Sequence, residues 1–321
     1  MKYEIVKLCF KSPLHLGEKE TILEDTSNII HSDTLFSSVC YAWRALYGKN
    51  SLEELLLTFL DKPPFLISSS FPFYDDVLFF PLPYNFQAPD DEAKNFKRVK
   101  FIPFKLFEDI KQKRHFNLDE YIMLQDKLAL LPVERKNSQS EDDLYFWKEK
   151  EVQRVTLDRI NSSSNLFNFR ELHFQPNCGF YFIIDYKDNS IAKKLKASLR
   201  LLGDAGLGGD RGSGKGIFKV RFEYLEIDDD IENAYQLLSL YYPAEKERPL
   251  SPAQYGYKTR GGFVYSFDET SRRKKYVRMF TEGSIFNGRK PQGELVDITP
   301  EGFDKHKVYR YGYAFCLGIK A

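Results

Sequence analysis

Apolar and polar positions alternate loosely along residues 3–10 (YEIVKLCF). The alternation puts Val6, Leu8 and Phe10 on one face and predicts a strand. Residues 11–30 carry Pro13, Gly17 and several polar side chains and read as loop. From 33 to 47 the period changes: Leu35, Phe36, Val39, Trp43, Leu46 and Tyr47 fall at helical spacing. Ser32 or Asp33 can cap this helix by accepting an orphan backbone N–H, and Gly48 ends it. Residues 65–85 are aromatic and broken by prolines, which predicts short strands.

The stretch 86–175 reads as a large insertion, closing on a β-hairpin near 152–175 around a polar turn at 161–165. Residues 179–186 (GFYFIIDY) form a strong strand. Residues 191–202 follow as an amphipathic helix with Ile191, Leu195, Leu199 and Leu202 on one face. After a Gly-rich loop, Phe218, Val220, Phe222 and Tyr224 alternate with charges in a strand over 217–227. Without the insertion the order is βαββαβ, the ferredoxin-like pattern. The acidic run at 226–232 marks a boundary. The fold class is therefore α+β: two ferredoxin-like (RRM-type) domains, 1–226 with the insertion and 227–321. The second is degenerate, with strand-like stretches at 261–267, 275–280 and 309–319.

A net charge of +1 excludes a polybasic binder but leaves room for local patches. Eight Lys or Arg against two acids at 94–114 form one, either following phosphates or facing water, and nine against three at 258–290 form another, with tyrosines and phenylalanines interleaved. The 28 Phe and 20 Tyr favour β-rich cores and could add stacking surfaces. Cys9, Cys40, Cys178 and Cys316 lie far apart without a C-x-x-C pair, so no metal site is expected and they read as small core hydrophobes in a reducing cytoplasm. No run of about 18 apolar residues predicts a membrane span.

The loop 203–216 holds seven glycines with Asp204, Asp210, Arg211 and Lys215. Glycines let backbone N–H groups approach an anion, and the two cations add attraction for phosphate. Residues 209–215 match G-x-x-x-x-G-K, but Gly216 stands where a nucleotide-hydrolysing loop needs Ser or Thr. The loop also leaves a helix and enters a strand, the reverse of that motif's setting. A dinucleotide fingerprint is absent as well.

A Gly-rich loop between the second helix and fourth strand of such a fold resembles the signature of the RAMP proteins of CRISPR systems. HSDTLFSS at 31–38, VTLDRINSS at 155–163, VRMFTEGSIF at 277–286 and KVYRYGYAF at 307–315 narrow the resemblance to the fourth-subunit family of type III-A (Csm) effectors. It implies a non-catalytic subunit without cofactor that holds the 5′ handle of the CRISPR RNA (crRNA). The implied partners are that RNA, the large polymerase-like subunit and the backbone RAMP subunits. An endoribonuclease of the same superfamily is the alternative, and the equivalent subunit of the type III-B complex a third.

The expected RNA contacts are His31, Ser32 and Asp33 at the helix N-terminus, where dipole and free N–H groups favour an anion. In the loop they are Gly206, Gly208, Gly209, Arg211, Gly212, Ser213 and Lys215. Arg154 and Arg159 in the hairpin are either RNA contacts, if the hairpin is the thumb that the resemblance implies, or solvated charges. His31 invites a general acid–base reading, but the sequence offers it no partner for proton transfer, so RNA contact or capping is preferred.

Overall fold

Strand β1 (Lys2–Phe10) is buried along most of its length because it pairs on both sides. The computed structural model describes residues 1–19, 22–88, 93–136, 144–157, 164–231, 233–247, 252–264 and 272–320. The segment expected as plain loop contains a small hairpin, β2 (Gly17–Lys19) and β3 (Ile22–Thr26). Helix α1 runs Ser32–Asp61, and Gly48 breaks it with φ 81°. The sequence-predicted stop is thus a kink, and a second helical run follows it. His31, not Ser32 or Asp33, is the N-cap residue, and it makes no side-chain cap bond.

Strands β4 (Phe65–Ile67), β5 (Phe71–Tyr74) and β6 (Val77–Pro81) follow. Next come α2 (Ala93–Phe96), β7 (Phe101–Pro103), α3 (Phe104–Lys111), β8 (Tyr121–Leu124) and β9 (Ala129–Pro132). β10 (Trp147–Leu157) and β11 (Ser164–Phe174) form one long antiparallel hairpin, starting five residues before the expected 152. β12 (Cys178–Tyr186), α4 (Ala192–Ala205) and β13 (Phe218–Glu226) complete this part. The main sheet runs β13-β1-β12-β5-β6-β7-β9-β8, with β4 also beside β12. Residues 101–132 of the expected insertion therefore extend the sheet. α1 packs on α4, and Leu195, Leu199 and Leu202 of α4 face the same core as Phe36 and Trp43 of α1.

Beyond residue 227 the described residues hold strands and no α-helix. These are β14 (Ala234–Leu237), β15 (Pro252–Gln254), β16 (Tyr257–Arg260), β17 (Val277–Phe280), β18 (Ile285–Asn287), β19 (Leu295–Asp297), β20 (Tyr309–Tyr311) and β21 (Cys316–Gly318). Four of them form a sheet, β15-β18-β14-β21, and β16–β17 and β19–β20 are hairpins. The strand expected at 261–267 lies earlier, at β16, because Gly261 and Gly262 end it; residues 265–267 fall outside the described set. The stretch 309–319 breaks into β20 and β21.

The two parts share one core. Tyr311, Tyr313, Phe315 and Leu317 pack with Phe36, Phe59 and Phe65 in a continuous cluster. The Tyr311 hydroxyl accepts the Ile67 N–H at 3.0 Å. Burying each such ring contributes roughly 2–3 kcal/mol. Among the described residues no helix is long and apolar enough to cross a membrane.

Candidate nucleic-acid interface

A cleft of about 340 Å³ opens between the start of α1 and the Gly-rich loop. His31, Thr34 and Tyr41 line one wall, Gly208, Gly209 and Arg211 the other, and Arg260 from β16 closes one side. Segments far apart in sequence thus meet in one cleft. The Arg211 guanidinium carbon lies 5.1 Å from the centre of the Tyr41 ring. That contact holds a cation at the mouth of the cleft.

Behind this surface His31 has partners that no local pattern announces. Its Nδ1 lies 2.8 Å from Glu282 Oε1, and Lys258 Nζ lies 3.3 Å from its Nε2. An ammonium can only donate, so Nε2 accepts and Nδ1–H donates to the carboxylate. Ser69 also donates to Glu282. Burial alone would raise the Glu282 carboxyl, but His31 and these hydrogen bonds hold it below its ordinary value.

Asp33 is deeper still. Its Oδ2 accepts Arg260 Nε at 2.9 Å and its Oδ1 accepts Arg260 Nη2 at 3.0 Å, while Arg310 also donates to it. Burial opposes its charge, yet the two guanidinium groups hold its carboxyl well below the carboxylate range. Ser32 is 0% exposed and Asp33 5%. The Ser32 N–H donates to Ser69 Oγ at 2.8 Å, and its own Oγ accepts the Leu240 N–H at 3.1 Å. Ser32 and Asp33, expected at the RNA surface or as caps, instead fasten α1 to the C-terminal strands. Burial is the reason: two inward side chains on a helix start meet protein, not solvent.

The Gly-rich loop divides in the same way. Gly203 is still inside α4, and a Cβ there would sit 2.5 Å from Phe218 O. Gly206 caps α4 with φ 80°, and its Cβ would meet Lys215 O at 2.5 Å. A Cβ on Gly208 would come 2.3 Å from His15 O, and one on Gly209 2.8 Å from His15 Cδ2. These glycines are required by the chain's own packing. Gly212 and Gly214 differ: a Cβ at either meets nothing within 4 Å. Asp210 adopts the left-handed region, Ser213 Oγ donates to Asp210 Oδ1 at 2.8 Å, and Arg211–Ser213 form a single 3-10 turn.

The hairpin and loop are tied by charge. Arg154 Nη2 lies 2.6 Å from Asp210 Oδ2, and Lys215 Nζ lies 2.9 and 3.0 Å from the oxygens of buried Glu171. Lys215, expected on phosphate, and Arg154, expected either on RNA or in solvent, have carboxylates of their own. Arg159 lies outside the described residues. His15, assigned no role from sequence, links all three segments. Its Nδ1 is 2.8 Å from Arg170 O, its carbonyl accepts the Gly209 N–H at 3.0 Å, and its ring lies 3.9 Å from that of Phe169. Sequence reasoning also missed Tyr41, Arg260, Glu282 and Arg310. Arg260 had a signal, the basic stretch 258–290; Glu282 had none.

Burial pushes the thiols of Cys40, Cys178 and Cys316 up to about 12, far from reactive thiolates. Among the described residues no three His, Cys, Asp or Glu converge as metal ligands.

A model of the RAMP superfamily matches residues 7–219, from the end of β1 through the Gly-rich loop. The chain belongs to the RAMP superfamily. Within it, residues 231–319 match the CRISPR Csm4 C-terminal domain. The RAMP chain is 27% identical over 332 residues to the CRISPR system Cms protein Csm4 of Thermococcus onnurineus, covering 99% of this chain and 97% of that one. It is 26% identical over 377 residues to the protein of the same name from Methanocaldococcus jannaschii, with the same coverage. Its fold matches a chain of the Csm3-Csm4 subcomplex of the type III-A CRISPR-Cas interference complex with a TM-score of 0.70 at 20% identity, over 100% of both chains. A chain of the Csm1-Csm4 cassette in complex with cA4 matches with a TM-score of 0.66 at 22% identity, over 100% of this RAMP chain and 98% of that one.

Proposed function

We propose that this protein is a non-catalytic RNA-binding subunit of a type III-A CRISPR effector and holds the 5′ handle of the crRNA in the cleft between α1 and the Gly-rich loop. The observation that carries the reading is the convergence of His31, Tyr41, Gly208, Gly209 and Arg211 on one cleft. The RNA backbone lies against Arg211, Gly212, Ser213 and Gly214, where the loop is open, because phosphate contacts need cations and unhindered N–H groups. Gly206, Gly208 and Gly209 shape that loop from behind. Tyr41 offers a ring to unstacked bases, while His31, held by Glu282 and Lys258, shapes the wall beside it.

The strand order β13-β1-β12-β5 with α1 and α4 between them supports a ferredoxin-like first domain over 1–226. The separate family matches at 7–219 and 231–319 support a second domain from 227. The β10–β11 hairpin is then a thumb, with Arg154 in the half of its ladder nearer the turn. The folds shared with chains of Csm1-Csm4 and Csm3-Csm4 assemblies support a bridge between a large polymerase-like subunit and the backbone RAMP subunits, in a prokaryotic cytoplasm.

Arg211→Ala tests the site. It should weaken binding of a labelled handle RNA and lower the salt dependence by about 0.7 for each phosphate that the guanidinium no longer neutralises. Unchanged affinity and slope would remove the cleft from the RNA site.

One observation favours a second reading, a repeat-processing endoribonuclease: the His31–Glu282 pair beside Lys258 gives His31 the proton-transfer partners that its sequence neighbours lack. Incubation with labelled repeat RNA decides between them. Cleavage at one position, abolished in His31→Ala, would reverse the ranking; the expected result is intact RNA.

A further inference from the structure

The hairpin β16–β17 has two faces with different duties. Its register pairs Lys258 with Met279 and Arg260 with Val277, and opposed residues of an antiparallel pair share a face. That face turns inward, to His31, Asp33 and the core. The other face carries Tyr257, Thr259 and Arg278, all exposed, and continues to Tyr276.

Three features make this outer face unusual for a solvated surface. Tyr257 is 61% and Tyr276 59% exposed, a large ring area presented to solvent. The rings are held: a Cβ on Gly261 would lie 2.2 Å from Tyr276 Cε1, so this ring packs where only glycine leaves room. The Arg278 guanidinium carbon stands 5.3 Å from the centre of the Tyr257 ring, and that of Arg273 5.5 Å from Phe263. Residues 252–280 carry seven Lys or Arg against Asp268 and Glu269, although two of the seven, Lys258 and Arg260, face inward. Fixed rings and guanidinium planes amid an excess of cations suit a polyanion with flat bases.

We propose that the outer face of the β16–β17 hairpin is a second RNA-contact surface, on which unpaired bases of a single strand stack on Tyr257 and Tyr276. The ligand class rests on the RNA-binding reading above; the place is new. The two surfaces are joined by one strand. Arg260 lines the cleft, and Tyr257 stands three residues away, about 10 Å along β16. An RNA strand leaving the cleft beside Arg260 meets the platform within two nucleotides. Asp33 clamps Arg260 to α1, so the platform is fixed relative to the cleft.

The test uses fluorescence anisotropy of the full chain with a labelled single-stranded handle RNA and with the same strand annealed to its complement. Tyr257→Ala with Tyr276→Ala should weaken the single strand about tenfold or more per ring. Duplex binding should stay within about twofold, and the salt slope of single-strand binding should not change, because no cation is removed. Tyr257→Phe with Tyr276→Phe should restore single-strand binding, since the ring face does the stacking. Unweakened single-strand binding by the alanine pair overturns the platform. If Arg211→Ala still weakens the RNA in that case, the cleft reading stands alone; if it does not, both fall. An alanine pair that binds RNA normally but no longer copurifies with a neighbouring protein subunit marks the face as a protein interface and overturns the proposal equally.

Discussion

On one side of the cleft buried Asp33 holds Arg260 and Arg310; on the other, Asp210 holds Arg154 at a partly exposed loop. The chemistry is the same, carboxylate against guanidinium, and the depth is not. At the buried side the pair joins the two halves of the chain, so removing one partner strands charges in a medium of low dielectric. At the exposed side water screens the pair, and the cations remain available to a competing anion such as phosphate. Residue type alone does not separate a latch from a ligand site; burial does. Depth thus gives the α1 start to stability and the open loop to binding, and four substitutions test the division.

The largest effect is expected from Asp33→Asn. It keeps the shape but leaves Arg260 and Arg310 without a buried counter-charge, and should cost about 3–5 kcal/mol in urea denaturation. A cost under about 1 kcal/mol would show that the latch is solvated and would erase the contrast with the loop.

Gly208→Ala comes next. Its φ of 89° is strained for any side chain, and the new Cβ would press on His15 O. Backbone strain and overpacking together should cost about 3 kcal/mol. The sequence reading has this glycine let RNA approach. If the variant keeps full stability and loses RNA, that assignment holds and the packing account fails.

Both cases show what a single sequence can carry. Periodicity finds the elements: Leu195, Leu199 and Leu202 are inward on α4 as their spacing requires. The glycine count finds the loop. Neither tells an inward glycine from an outward one, because Gly208 and Gly212 differ in φ and in what faces them across space, and the sequence shows neither. The latch was illegible for the same reason. Asp33 sits at a helix start, where a carboxylate usually caps or faces solvent, and Arg260 and Arg310 lie 227 and 277 residues away. The hairpin β2–β3 was hidden in a stretch too short and polar to show alternation.

Glu282→Gln probes the latch through pH and should cost about 1–3 kcal/mol near neutrality, the worth of hydrogen bonds to a buried charge. The native carboxyl is held below its unfolded value of about 4.5. Its contribution is therefore complete above that value and is lost as pH falls toward the lower native one. The stability gap between unmodified protein and variant should be constant at about pH 6–7 and should shrink below about pH 4.5. A gap that stays constant well below pH 4.5 would mean that His31 and Ser69 do not hold Glu282 as an ion.

The smallest stability effect separates the two regions most cleanly. Gly212 lies in open space, with no atom within 4 Å of an added Cβ and no positive φ. Gly212→Ala should therefore change stability by no more than about 0.5 kcal/mol, the range of surface substitutions away from special features. Its effect on RNA should be larger than its effect on folding, because a methyl group in the 3-10 turn beside Arg211 stands where a phosphate must approach the backbone. The pair to compare is Gly212→Ala and Gly208→Ala, each measured by urea denaturation and by handle-RNA binding at one salt concentration. Gly208→Ala should lose stability, and Gly212→Ala should lose affinity while folding as the unmodified chain does. If Gly212→Ala binds RNA unchanged, the open half of the loop is not the phosphate contact, and its glycines serve the turn alone.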